Sequence, residues 1–79
     1  PLILANMKDK IRDILEEALP LVDLDSQFLF SELDSLGVAT ILMTLSDKFG
    51  IKLDSTDVTP KNFKNLESLV ALVQKKQSQ

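Results

Sequence analysis

Apolar residues at the start of the chain recur at three- and four-residue steps: Leu4, Met7, Ile11, Ile14, Leu15 and Ala18. Lys8, Asp9, Arg12, Asp13, Glu16 and Glu17 fall on the opposite side. That period predicts an amphipathic helix from about Leu2 to Leu19, one wall of a bundle. Pro20 ends it, because the residue before a proline is pushed out of helical geometry. A long connection, residues 20 to 33, follows with two apolar clusters, Leu21-Val22-Leu24 and Phe28-Leu29-Phe30. Unstructured connections of this length are uncommon in compact domains unless they have a task. The phenylalanines are expected to pin this one to the bundle. A second helix is predicted from Ser35 to Phe49, with Gly50 as a left-handed C-cap. Val38, Leu42, Leu45 and Phe49 form its expected core stripe, and Leu36, Ile41 and Met43 widen the apolar surface beyond it. Further on, Thr59 as N-cap and Pro60 at the first helical position predict a short helix pinned by Phe63. Asn65 caps a closing helix whose apolar face is Leu66, Leu69, Val70 and Val73. The predicted fold is all-α: a small bundle of three main helices plus one short helix, with a long loop between the first two.

Composition narrows the function. The chain has 79 residues, 44% apolar and 27% charged, which makes one folded domain rather than a disordered segment. Residues 75–79 are expected to fray. There is no cysteine and no histidine. Disulfides and thiolate metal sites are therefore excluded, and the commonest zinc ligand and general base are missing. The net charge of −3 is uneven: residues 1 to 57 carry five basic and eleven acidic side chains, and residues 58 to 79 carry four and one. An acidic body gives no surface for a nucleic-acid backbone, and Lys75-Lys76 is too short to supply one. Leu2 to Ala5 is too short for a signal-peptide core or a membrane span. A start at Pro1 fits removal of an initiator methionine or a boundary set by expression. Asp23, Asp25 and Gln27 have calcium-loop spacing, but Phe28 stands where that turn needs glycine and Asp34 where it needs glutamate. Calcium is rejected, and no other metal site is expected.

The informative stretch is Leu33-Asp34-Ser35-Leu36, where the loop becomes the second helix. A serine there sits beside the free N–H groups of a first helical turn, at the positive end of the helix dipole. An anion attached to it is favoured without any basic side chain. As a nucleophilic catalyst Ser35 lacks a base, with no histidine and no Ser-x-x-Lys arrangement, so the chain is not read as an enzyme. Serine at a helix start is ordinarily an N-cap. Asp34 can fill that role and leave Ser35 free for modification.

In these elements the chain resembles the acyl carrier proteins. The resemblance covers the amphipathic first helix, the long loop, Asp34-Ser35-Leu36, the apolar second helix, Phe49-Gly50-Ile51, Phe63 and the closing helix. It implies that Ser35 carries a covalent 4′-phosphopantetheine arm, with Asp34 and Leu36 as the neighbouring motif residues. Asp34 is then a cap or a group read by the modifying enzyme through its metal. The partners implied are a phosphopantetheinyl transferase, an acyl- or aminoacyl-loading ligase, and downstream synthases or transferases of fatty-acid, polyketide or aminoacyl pathways. Leu36, Gly37, Met43 and Asp47 are the expected partner-binding residues, with Gly37 allowing close approach to the backbone. A cytoplasmic monomer is expected.

Some positions depart from the fatty-acid carriers. Glu32 stands where they usually have glycine, and Thr40, Ser46 and Lys48 occupy positions where they have glutamate. Gly37 and the segment from Asp57 to Val70 are more similar to stand-alone carriers serving amino-acid-activating enzymes, D-alanyl carriers included. Length and helical pattern also fit a second class, a helical interaction module such as a death-fold or sterile-alpha-motif domain, which carries no prosthetic group.

Overall fold

Helix α1 (Leu2–Ala18) forms where the sequence has an apolar stripe at helical period, and Leu19 closes its last turn through its N–H to the Leu15 carbonyl at 2.7 Å. The computed structural model describes residues 2–79, with side chains from Met7 onward, so the expected contribution of Leu4 lies outside the described residues. Ile11 and Leu15 are fully buried, Met7 and Ile14 half-buried; Ala18, expected in the stripe, is exposed. Helix α2 (Ser35–Phe49) ends at Gly50, whose φ of 61° is left-handed, a conformation that costs glycine nothing. Helix α3 (Leu66–Gln77) closes the bundle. Its last turn contains Lys75 and Lys76. The architecture is all-helical, three helices with short 3-10 turns and no strand among the described residues.

The expected short helix at Thr59 is a single turn. Thr59 does cap it, accepting from the Asn62 N–H at 3.0 Å, and the Phe63 N–H reaches the Thr59 carbonyl at 3.0 Å. Propagation stops because the Lys64 carbonyl accepts from the Leu29 N–H at 2.8 Å. Asn65 must also be extended (φ −155°) to cap α3. The regular 3-10 turn lies earlier, at Ser55–Asp57, where Asp54 and Asp57 cap each other. Asp57 is nearly buried and meets the Lys76 ammonium at 3.0 Å, tying this turn to the end of α3.

Packing corrects two further expectations. In the long loop, the anchors are Leu24 and Leu29, both buried, with a 3-10 turn at Leu29–Glu32. Phe28 is exposed, and Phe30 is half-buried, meeting Phe63 edge-to-face at 6.3 Å between ring centroids. In α2 the buried row is Gly37, Ile41 and Leu45, four residues apart. Val38, Leu42 and Phe49 flank it, half-buried. The helix is apolar nearly all round, so its pattern did not single out the inner face. α1 packs against both α2 and α3. It runs opposite to α2: Lys10 sits over the Phe49 ring at 5.3 Å, and Leu19 shares a groove with Leu36 and Gly37. Each fully buried Leu, Ile or Phe side chain contributes about 1.5–3 kcal/mol, enough to hold the loop in place beside α2.

Candidate functional site

Asp34 is extended (φ −100°, ψ −176°), and its Oδ1 accepts from the Gly37 N–H at 2.8 Å. Its carbonyl takes the first helical bond, from the Val38 N–H at 3.0 Å. Asp34 is thus the cap, and Ser35 is the first helical residue, exposed to solvent. The Ser35 hydroxyl makes no hydrogen bond to protein among the described residues. The N–H groups of Ser35 and Leu36 lack intrahelical acceptors, as the first-turn donors of any α-helix do. No acidic side chain follows Asp34 within this first turn; the Asp34 carboxylate itself lies at the positive end of the dipole, engaged by the Gly37 N–H.

Two open grooves meet at this point, separated by Leu33 and Asp34, which line both. One, of about 720 Å³, runs between α2 and the two 3-10 turns, with Phe30, Val38, Leu42 and Val58 as apolar walls and Ser35 and Ser55 as polar ones. The other, of about 440 Å³, lies between the end of α1, the loop and the first turn of α2. Leu33, just before the cap, and Val38, four residues into the helix, have the spacing of a hydrophobic staple and line the same groove. That spacing was the available sequence signal for a wall the sequence reading missed. Ser55 and Val58 reach the site only through the tertiary fold and left no local signal.

The other expected residues separate into two places. Leu36 and Met43 are 74% and 72% exposed, and Asp47 is exposed as well. At 3.6 residues per turn these three share one outer face of α2. Gly37 is not on that face. It is buried, and a Cβ placed there would lie 3.3 Å from Leu33 Cδ2. The rejected calcium-loop carboxylates have other partners: Asp23 accepts from the Asp25 N–H at 3.1 Å, and Asp25 pairs with Arg12 at 2.7 Å. Among the described residues no cluster of three metal-ligating side chains occurs, and no helix is long and apolar enough to cross a membrane.

The residues present suit a phosphopantetheine group: an unengaged hydroxyl, two free N–H donors for a phosphate, and a groove with mixed polar and apolar walls for an extended amide chain. Comparison with curated protein sequences gives no match. A sequence model described as the phosphopantetheine attachment site matches residues 7–73, which take in most of α1, the loop, all of α2 and most of α3. The chain therefore belongs to the phosphopantetheine-binding family of acyl-carrier-type proteins, whose members bear 4′-phosphopantetheine covalently on a serine.

Proposed function

We propose that Ser35 is the attachment residue and that the protein carries acyl or aminoacyl groups as thioesters, presenting them to partner enzymes. The observation that carries this reading is the division of labour at the start of α2. Asp34 caps the helix, and the adjacent Ser35 hydroxyl is exposed and unengaged beside free first-turn N–H donors. In the modification step Ser35 Oγ forms a bond to phosphorus, and the pyrophosphate P–O bond of coenzyme A breaks. The adenosine bisphosphate leaves, and the hydroxyl proton passes to a base on the transferase. Once bound, the arm supplies the thiol that this cysteine-free chain lacks. Catalysis belongs to the partners, since no imidazole or thiol exists here to activate an acyl group. The setting is a cytoplasmic monomer meeting a phosphopantetheinyl transferase, a loading ligase and downstream synthases or transferases in turn.

Within the family, the aminoacyl-type carriers fit better than the fatty-acid type. The outer face of α2 presents Leu36 and Met43, while the only charges inside the helix, Asp47 and Lys48, cancel. Partners reading this face depend on apolar contact more than on charge.

The test is intact-mass analysis after incubation with coenzyme A, magnesium and a phosphopantetheinyl transferase. One phosphopantetheinyl group should appear, on the peptide containing Ser35. Ser35→Ala should gain nothing while keeping its helical circular dichroism, because Asp34 still caps. Modification at Ser31 or Ser26 overturns the assignment. A helical interaction module without a prosthetic group would take up no mass at all.

A further inference from the structure

We propose that Gly37 is a positioning residue for the modification of Ser35: its missing Cβ lets Leu33 and the Asp34 carboxylate close on the first turn of α2. The inference rests on Ser35 being the attachment residue. Gly37 lies inside a helix, where glycine weakens the structure, so a reason for it is required. Backbone conformation is not the reason. Gly50 is the glycine with positive φ, and Gly37 has ordinary helical geometry that any residue adopts.

Space is the reason. An ideal Cβ on Gly37 would lie 3.3 Å from Leu33 Cδ2, 3.7 Å from Leu33 Cβ and 3.4 Å from Asp34 Oδ1. The first distance is closer than two carbon atoms ordinarily pack, near 3.5–4.0 Å. The Gly37 N–H donates to the same Asp34 Oδ1 at 2.8 Å. One residue therefore receives both neighbours that precede the serine, Leu33 by packing and Asp34 by a hydrogen bond. Leu33 is also held from behind, its N–H reaching the Phe30 carbonyl at 3.3 Å in the 3-10 turn. The end of the loop is latched to the helix at two points, and Ser35 lies immediately after them.

A methyl group at position 37 requires the Leu33 side chain to give by a few tenths of an ångström or the cap to loosen. A loosened cap reorients the Ser35 hydroxyl relative to the first-turn N–H donors, and a displaced Leu33 alters the wall of both grooves. Displacements of this size reduce the fraction of encounters with reacting atoms aligned, so they act on turnover more than on binding. The outer face bearing Leu36 and Met43 is left as it was.

The experiment measures steady-state modification by a phosphopantetheinyl transferase with coenzyme A, followed by intact mass. It compares the wild type, Gly37→Ala, Leu33→Ala and the double variant, each checked by circular dichroism. For Gly37→Ala, kcat should fall about tenfold with KM within about twofold. Leu33→Ala removes the packing half of the latch, so kcat should fall there too, and the double variant should be slower than the worse single variant by no more than about twofold, because both changes act on one contact. That non-additivity separates positioning from a general loss of helix, in which the two losses would multiply. If Gly37→Ala fails to fold, Leu33→Ala carries the test: a folded variant with lowered kcat and kept KM supports the proposal, and one at the wild-type rate overturns it. Wild-type kcat in Gly37→Ala, or multiplied losses in the double variant, overturns it as well. Absence of modification at Ser35 in the wild type is a different failure, since it removes the attachment reading itself and this proposal with it.

Discussion

The starts of α2 and α3 use the same device and end in opposite states. In α2 the Asp34 side chain accepts from the N–H three residues on at 2.8 Å; in α3 Asn65 does the same at 2.9 Å. Each cap is followed within two residues by a leucine and within three by a serine. At α3 everything around the cap is engaged. Leu66 is 1% exposed, the Ser68 hydroxyl donates to Asn65 Oδ1 at 3.0 Å, and Glu67 pairs with Lys8 at 2.7 Å. The hydrogen bond from Lys8 holds the Glu67 carboxyl below its ordinary value, so a negative charge is kept at the positive end of that helix. At α2 the leucine points outward, the serine hydroxyl is unengaged and the acid at the helix start is the cap itself. A cap supplies a helix start in both places. Only at α2 does it leave a serine hydroxyl exposed and unengaged beside first-turn N–H groups, because serine is the first helical residue there and the third at α3.

Truncating the two leucines should break the likeness most visibly. Leu66→Ala removes a buried side chain and should destabilise the fold by about 2–5 kcal/mol in denaturant titrations. Leu36→Ala should change stability by less than about 0.5 kcal/mol, as exposed positions do. It should nevertheless slow loading by the partner ligase. Equal effects on stability would mean that Leu36 is not free for a partner.

The caps themselves should behave alike in stability and differ in function. Asp34→Ala and Asn65→Ala should each cost about 1 kcal/mol, read by thermal or chemical melting. Only the first should slow modification of Ser35. Asp34→Asn sharpens the point, because asparagine caps as well as aspartate, so stability should be kept within a few tenths of a kcal/mol, about the spread among good capping residues. A slow rate in that variant assigns the charge of Asp34 to recognition by the modifying enzyme. A wild-type rate leaves it as a cap alone.

The smallest effects concern the outer face of α2. Met43→Gln should slow loading about threefold to tenfold, as loss of an exposed apolar contact worth about 1 kcal/mol does. Asp47→Asn should stay within about twofold, and both rates should vary little between low and physiological salt. Strong salt dependence with Asp47→Asn the worse variant would return the chain to carriers read by charge.

Sequence by itself determined what depends on neighbours along the chain. The bounds of α2, the Asp34 cap and the Gly50 stop are matters of backbone donors, dipoles and φ angles within one turn, so the stretch from Asp34 to Gly50 contains them completely. The same holds for the Asn65 cap and for the apolar face of α3, where polar residues mark the outside clearly. Tertiary structure decided what depends on which surfaces meet. α2 is apolar on too many sides for period alone to choose Ile41 and Gly37 as inner and Leu36 and Met43 as outer; the positions of α1 and the loop chose. The loop is held by Leu24 and Leu29 rather than by Phe28, because shape at the bundle edge selected among similar apolar residues. The turn after Thr59 stayed a turn because Leu29, distant in sequence, takes the carbonyl at Lys64. Gly37 shows the same limit at the site itself. Its presence was visible in the sequence, but the side chain that fills the space of its missing Cβ was not, since that space exists only after Leu33 has folded back onto the helix.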